Sequence, residues 1–289
     1  MDNTAPALVV GRLCAGVPEL LDPTHPVVSA FDLGLVRGDG IFETLLVRHG
    51  GVRGLSAHLS RMAASARLLQ LPEPNRSAWA ALAAACADGW PPEVEGVLKL
   101  LMTRGLEGLP GPPTCLATLA PAPADTLRQR HTGVAVRLLS LGVAADERAR
   151  SPWLLGGVKS LSYAVNKAAL RHAQAAGADD VVFVSTDGLV LEGPTSTVVW
   201  ASGGTLHTPP LDNGILAGTT QAALFELAEH SGWGTAVVPT TPPDLLAADA
   251  VWLLSSVRGA AAVTSIDDVS RGDAGLTPEV HRLLDLLDD

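Results

Sequence analysis

The stretch G-V-K-S-L-S-Y-A-V-N, residues 157–166, sets Lys159 between apolar Val158 and Leu161, two residues after the pair Gly156-Gly157. Apolar neighbours and close backbone approach desolvate an amine and favour its neutral form. A neutral lysine amine can form a Schiff base with an aldehyde. Most lysines beside a helix are simply solvated, so Lys159 needs company to mean more than that. Helical periodicity predicts a helix from about Ser162 to Ala176, ended by Gly177. Tyr163, the only tyrosine of the chain, then lies about one helical turn from the lysine if that helix begins early. Its hydroxyl is able to reach a ring oxygen or a phosphate, and its ring is equally able to fill a core.

Three other segments supply the company. In L-V-L-E-G-P-T-S-T, residues 189–197, Glu192 sits where a short strand ends. A carboxylate there can hold a proton on a heterocyclic nitrogen, and an ordinary exposed strand end accounts for it as well. I-L-A-G-T-T-Q, residues 215–221, is a small-residue turn entering a helix, with Leu216, Gly218, Thr219 and Thr220. Free N–H groups at such a helix start hold phosphate, and an N-cap threonine explains the same residues without a ligand. Arg61, in A-H-L-S-R-M, lies on the polar side of a helix and is either the cation for that phosphate or a surface charge.

Composition narrows the function classes. With 289 residues, 47% of them hydrophobic, the chain is long enough for two domains with a large core. A net charge of −10 and scattered lysines and arginines argue against a nucleic-acid partner. Cys14, Cys86 and Cys115 are far apart and suggest neither a disulfide framework nor a cysteine zinc site, and no other ligand cluster suggests a metal. Such cysteine usage fits a reducing cytoplasm. The opening M-D-N-T-A-P lacks the features of a signal peptide, and no apolar run reaches the length of a membrane span.

The element pattern is α+β. Strands are expected at A-L-V-V-G-R-L-C and Ile41 to Val47, helices from about Ser56 to Leu71 and Ser77 to Asp88, then paired strands at Val94 to Thr103 and Thr114 to Leu119. P-A-P-A-D-T-L-R-Q-R-H is the best domain boundary, giving a small domain at 1–121, a linker at 122–132 and a larger domain at 133–289. The larger domain is expected to hold short strands near Val134, Val181, Leu189, Thr197 and Ala250, a helix from about Thr220 to Ser231, and a last helix from about Pro278 to Leu287.

F-D-L-G-L-V-R-G-D-G-I-F-E-T-L-L-V, A-H-L-S-R-M, T-R-G at Thr103 to Gly105, K-S-L-S-Y-A-V-N, L-E-G-P-T-S-T-V and I-L-A-G-T-T-Q occur in one order over nearly the whole chain. In that order and spacing the chain resembles the class IV pyridoxal phosphate enzymes: branched-chain and D-amino acid aminotransferases, (R)-selective amine transaminases and 4-amino-4-deoxychorismate lyases. The resemblance implies a two-domain fold of type IV, with a small N-terminal α/β domain, a larger C-terminal domain with a β-barrel-like core, and the cofactor between them. It implies a homodimer acting on a small-molecule amine, with pyridoxal 5′-phosphate on Lys159. Glu192 is then the partner of the pyridine nitrogen, Arg61, Thr219 and Thr220 hold the phosphate with Gly218, Leu216 packs on the ring, and Tyr163, Ser256 and Val257 complete the cofactor site.

The reaction is decided by fewer residues. Thr44 matches the second residue of a threonine pair of the lyases, whose hydroxyl assists protonation of the departing enolpyruvyl group, whereas Glu43 resembles the aminotransferases. In S-S-V-R-G, Val257 lacks the phosphate-binding hydroxyl of aminotransferases, as lyases do. Arg104 matches a family arginine that binds a carboxylate, and Arg258 and Arg37 are further carboxylate candidates or surface charges. On these residues the resemblance is closest to 4-amino-4-deoxychorismate lyase, with Lys159 and Thr44 catalytic. The alternative is an aminotransferase acting on branched-chain or D-amino acids or amines.

Overall fold

The computed structural model describes residues 8–285, so the opening M-D-N-T-A-P and the expected end of the last helix at Leu287 lie outside the described residues. The chain forms two compact units. One holds the chain up to Pro123 together with Val158–Tyr163, and the other holds Ala124–Gly157 and the chain from Ala164 on. The Lys159 segment, expected within the C-terminal domain, is thus part of the first unit, and most of the expected linker is helix.

The first unit contains β1 (Val9–Cys14), β2 (Val17–Leu21), α1 (Leu33–Arg37), β3 (Gly40–Arg48), β4 (Gly51–Val52), α2 (Leu55–Leu68), α3 (Arg76–Ala87), β5 (Gly96–Thr103) and β6 (Cys115–Pro121). Its sheet runs β2-β1-β6-β5-β3-β4, antiparallel throughout. Alternation along β3 buries Ile41, Glu43, Leu45 and Val47 and leaves Phe42, Thr44 and Leu46 half-buried on the opposite face. The buried apolar set packs with Leu59, Met62 and Ala66 of α2 and Trp79 and Leu82 of α3. Glu43 is the one charged member of the buried row, and it faces polar side chains of α2.

β4 pairs with β3 only at Val47 and Arg48, so the other end of that β3 edge needs a different partner. Residues 158–161 supply it. Phe42 N–H donates to the Lys159 carbonyl at 3.0 Å and Leu161 N–H to the Gly40 carbonyl at 2.8 Å, with Ile41 opposite Ser160. Lys159 N–H donates to the Ser65 hydroxyl of α2 at 3.2 Å, and Val158 packs against the core. Residues 159–161 are therefore extended, and the helix expected from about Ser162 begins only at Ala164.

The second unit contains α4 (Ala124–Thr132), β7 (Val134–Ser140), α5 (Glu147–Arg150), α6 (Ala164–Ala175), β8 (Asp180–Val184), β9 (Thr197–Ser202), β10 (Thr205–Thr208), α7 (Thr219–His230), β11 (Gly234–Val237), α8 (Pro242–Ala247), β12 (Ala250–Ser255), β13 (Gly259–Ile266), β14 (Val269–Ser270) and α9 (Thr277–Asp285). Its sheet runs β11-β10-β9-β12-β13-β7-β8, with β14 on β13. The interior strand β9 is buried on both faces: Val198 and Trp200 enter one core, Val199 and Ala201 another with Trp252 and Leu224. Leu189–Glu192 joins the two ends of this sheet. Phe183 N–H donates to the Glu192 carbonyl at 2.9 Å on the β8 side, and Val190 N–H donates to the Thr240 carbonyl at 2.8 Å just beyond β11. That closure removes exposed edge groups and makes the core barrel-like, as expected. Among the described residues no helix is long and apolar enough to cross a membrane.

Candidate active site

In the first unit, the extended run after Gly157 carries Lys159 half-buried, with its Nζ 4.6 Å from the centroid of the Phe42 ring. Tyr163 meets the same ring edge-on, with centroids 5.4 Å apart. The lysine and tyrosine are thus related through Phe42 and through an extended segment, and the helical-turn relation is corrected: a backbone paired to β3 cannot also make i→i−4 bonds. Thr44, two residues from Phe42 on the same face of β3, is half-buried.

On the opposite face of β3, Glu43 is fully buried against two side chains of α2. Arg61 binds it through two nitrogens, Nε to Oε1 at 2.9 Å and Nη2 to Oε2 at 2.6 Å, while His58 Nδ1 lies 2.7 Å from Oε2. Burial alone would raise the Glu43 carboxyl, but hydrogen bonds from Arg61 and His58 and the positive charge of Arg61 overcome it and hold the group down at about 2. Burial pushes His58 below its ordinary value despite Glu43, with Arg61 and Lys159 pushing the same way. The imidazole is accordingly neutral at pH 7 and donates its Nδ1 proton to the carboxylate.

The other two candidate arginines of this unit have protein partners. Arg104 pairs with Asp39 at 2.6 Å and donates to the carbonyls of Leu69 and Gln70 at 2.7 and 3.1 Å, tying down the end of α2. Arg37, at the exposed end of α1, pairs with Glu107 at 3.0 Å.

In the second unit, Glu192 is half-buried and anchored at both oxygens. Oε2 accepts from Leu216 N–H at 3.0 Å, and Oε1 lies 3.4 Å from Arg148 Nη1. Two residues after Leu216, Gly218 forms the N-cap of α7 in an extended conformation and contributes no side-chain cap. A Cβ at Gly218 would stand 2.3 Å from the Thr197 hydroxyl, so only glycine fits this turn. Thr219 and Thr220 open the helix, both half-buried. The β12–β13 turn carries half-buried Ser256 and buried Val257, whose carbonyl accepts from Arg130 at 2.7 Å. Arg258 turns inward, 6% exposed, onto Asp180 at 2.8 Å and Gln129 at 3.2 Å.

Pyridoxal phosphate fits these donors. A half-buried amine beside an aromatic ring suits an aldehyde, a carboxylate oriented by a backbone N–H suits a ring nitrogen, and a helix start kept narrow by glycine suits a phosphate. Arg148, His58 and the burial of Glu43 escaped the sequence reading. Alternation along β3 carried a signal for Glu43; Arg148, in the charged run E-R-A-R, carried none.

Comparison with known proteins agrees with this chemistry. The sequence profile of the family "Amino-transferase class IV" matches residues 40–266. The bifunctional aminodeoxychorismate lyase / D-amino acid transaminase of Mycobacterium tuberculosis is 45% identical over 258 residues, covering 86% of this chain and 89% of the relative. A hypothetical aminotransferase from Mycobacterium tuberculosis, in its PLP-bound form, superposes with a TM-score of 0.93 at 42% identity, covering 96% of this chain and 98% of the other. The 4-amino-4-deoxychorismate lyase of Pseudomonas aeruginosa superposes with a TM-score of 0.75 at 30% identity, covering 92% and 96%. The chain therefore belongs to the class IV aminotransferase family, and it is a pyridoxal phosphate-dependent enzyme of fold type IV, an aminotransferase or a lyase.

Proposed function

We propose that this enzyme is a lyase converting 4-amino-4-deoxychorismate to 4-aminobenzoate and pyruvate, a step of folate synthesis. The observation that carries the reading is the placement of Thr44. Its half-buried position shares a face of β3 with Phe42, the ring against which the Lys159 amine lies. The lyase names among the relatives and the absence of a hydroxyl at Val257 support the same choice.

When bound, pyridoxal phosphate draws electrons from the carbon bearing the substrate amine and acidifies its hydrogen. Lys159 Nζ takes that proton from C4. The C3–O bond then breaks, its electron pair leaves with the enolpyruvyl oxygen, and the ring becomes aromatic, which drives the step. Thr44 donates from its hydroxyl toward the departing group, which becomes pyruvate on protonation. Glu192 would hold the ring nitrogen, Leu216 would cover the ring, and Tyr163 would serve a ring oxygen. Arg61, Thr219, Thr220 and Ser256 would serve the phosphate, with the turn at Gly218 leaving room for it. Arg104 is assigned to a substrate carboxylate on the family resemblance; it is paired with Asp39, just as Arg258 is with Asp180 and Arg37 with Glu107. The proposal includes a homodimer in the cytoplasm.

The test is pyruvate release from 4-amino-4-deoxychorismate by the loaded enzyme, expected without accumulation of pyridoxamine phosphate and slowed about a hundredfold in Thr44→Val. Conversion of a D-amino acid to its keto acid with no pyruvate released from 4-amino-4-deoxychorismate would overturn it. That outcome is the second reading, favoured by the double name of the relative at 45% identity.

A further inference from the structure

Arg148 stands at a junction that no motif announces. It lies on the single turn α5, and its backbone and Cβ run between two glycines from different loops. A Cβ on Gly156 would meet the Arg148 carbonyl oxygen at 2.7 Å and its Cβ at 2.9 Å; a Cβ on Gly214 would meet the Arg148 Cβ at 2.6 Å. Gly214 also has φ of +65°, which penalises any other residue. Gly157 N–H donates to the Gly214 carbonyl at 3.0 Å, so the loop leading to Lys159 and the loop leading to Leu216 are joined beside the arginine. From this fixed base the guanidinium reaches Glu192 Oε1 at 3.4 Å, while the Gly214-Leu216 loop supplies the N–H at Oε2. The carboxylate is therefore held from two sides by one assembled unit.

We propose that Arg148 is a positioning residue of the cofactor site, fixing the orientation and the charge of Glu192 for its contact with the ring nitrogen. The inference rests on the assignment of Glu192 made above. The Leu216 N–H fixes one oxygen of the carboxylate, and a contact on the other oxygen restrains its rotation about that bond. A planar guanidinium carried on a backbone and Cβ packed between two glycines adds that restraint, and its charge favours the ionised carboxylate that a protonated ring nitrogen needs.

The experiment compares the affinity of the full-length apoenzyme for pyridoxal phosphate and for its deaza analogue, in which a carbon replaces the ring nitrogen. The ratio of the two dissociation constants isolates the contact at that nitrogen and is insensitive to a general loosening of the site. Glu192→Gln should bring the ratio close to one. Arg148→Gln should lower it about tenfold, the effect of one hydrogen bond to a charged group. Arg148→Lys, which keeps the charge without the planar fork, should fall between Arg148→Gln and the native enzyme, and it carries the test if Arg148→Gln does not fold. An unchanged ratio in the folded arginine variants, with the ratio lost in Glu192→Gln, overturns the role of Arg148 alone. An unchanged ratio in Glu192→Gln overturns the assignment of Glu192 and this proposal with it.

Discussion

Glu43 and Glu192 are both carboxylates with an arginine beside them, but their surroundings differ. Glu43 is sealed, gripped by two nitrogens of Arg61 at 2.6 and 2.9 Å and by His58 at 2.7 Å. Glu192 has one backbone N–H at 3.0 Å and a looser arginine at 3.4 Å, and it keeps partial access to solvent. A sealed carboxylate is out of a ligand's reach. Its effect is exerted through the arginine that it orients. A carboxylate that keeps some exposure is suited to receive a ligand itself. Burial and bond geometry, and not residue type, separate the glutamate that orients an arginine from the one proposed to touch cofactor.

The sharpest way to break this contrast is to remove each carboxylate and compare stability. Glu43→Ala leaves a nearly buried guanidinium and an imidazole N–H without their acceptor, and it should cost about 3–5 kcal/mol in chemical denaturation. Glu192→Gln, half-exposed, should cost under about 1 kcal/mol. The double variant Glu43→Leu with Arg61→Met should recover much of the stability lost in Glu43→Ala while binding pyridoxal phosphate poorly. If Glu43→Ala proves as mild as Glu192→Gln, the cluster on α2 is not the closed unit its distances indicate.

Acid should reveal the same difference. The Glu43 carboxyl lies at about 2 in the folded protein against an ordinary 4.5, so its contribution is complete above 4.5 and is lost as pH falls toward 2, on the order of 3 kcal/mol in all. His58, below its ordinary 6.5 when folded, binds a proton more readily in the unfolded chain, so its part of the loss begins as pH falls through 6.5. Both slopes have one sign: stability rises with pH across this range. Denaturation midpoints measured from pH 7 down to 3 should show that fall, and His58→Gln should remove its upper part.

At the open carboxylate the effect belongs in catalysis. Glu192→Gln should lower turnover about a hundredfold, comparable to losing one preorganised electrostatic contact, with folding intact by circular dichroism. Turnover within a few-fold of native would show that the half-exposed carboxylate is incidental to the chemistry.

What the sequence made legible follows from the range of each interaction. Lys159 stood out through its immediate neighbours, and Gly218, Thr219 and Thr220 through a turn of adjacent residues. The extended run 159–161 was read as the approach to an early helix, because its partner is β3, far back in the chain, and local periodicity carries no record of that pairing. Glu43 looked like a motif letter, although Ile41, Leu45 and Val47 already placed position 43 on the buried face. Arg148 was silent because its only traces are Gly156 and Gly214, whose need to be glycine arises when three segments converge. Arg258 reads more readily as a surface charge than as a carboxylate ligand, and its burial on Asp180 fits neither picture.

The smallest expected effect tests whether the turn beside Glu192 is shaped for a ligand or only for the helix. Gly218 has φ of −72° and ψ of 118°, a conformation any residue adopts, so alanine there meets no backbone strain. Its obstacle is the Thr197 hydroxyl at 2.3 Å and the Thr197 Cβ at 3.2 Å, on a side chain that is itself buried. Gly218→Ala should therefore displace the first turn of α7 and weaken pyridoxal phosphate binding about tenfold, with helix content unchanged. Removing the obstacle in Gly218→Ala with Thr197→Ala should restore most of the affinity, because the clash and not the lost glycine is the cause. If the double variant stays as weak as the single one, Gly218 serves the phosphate by close backbone approach, and an added methyl group occupies space the ligand itself requires.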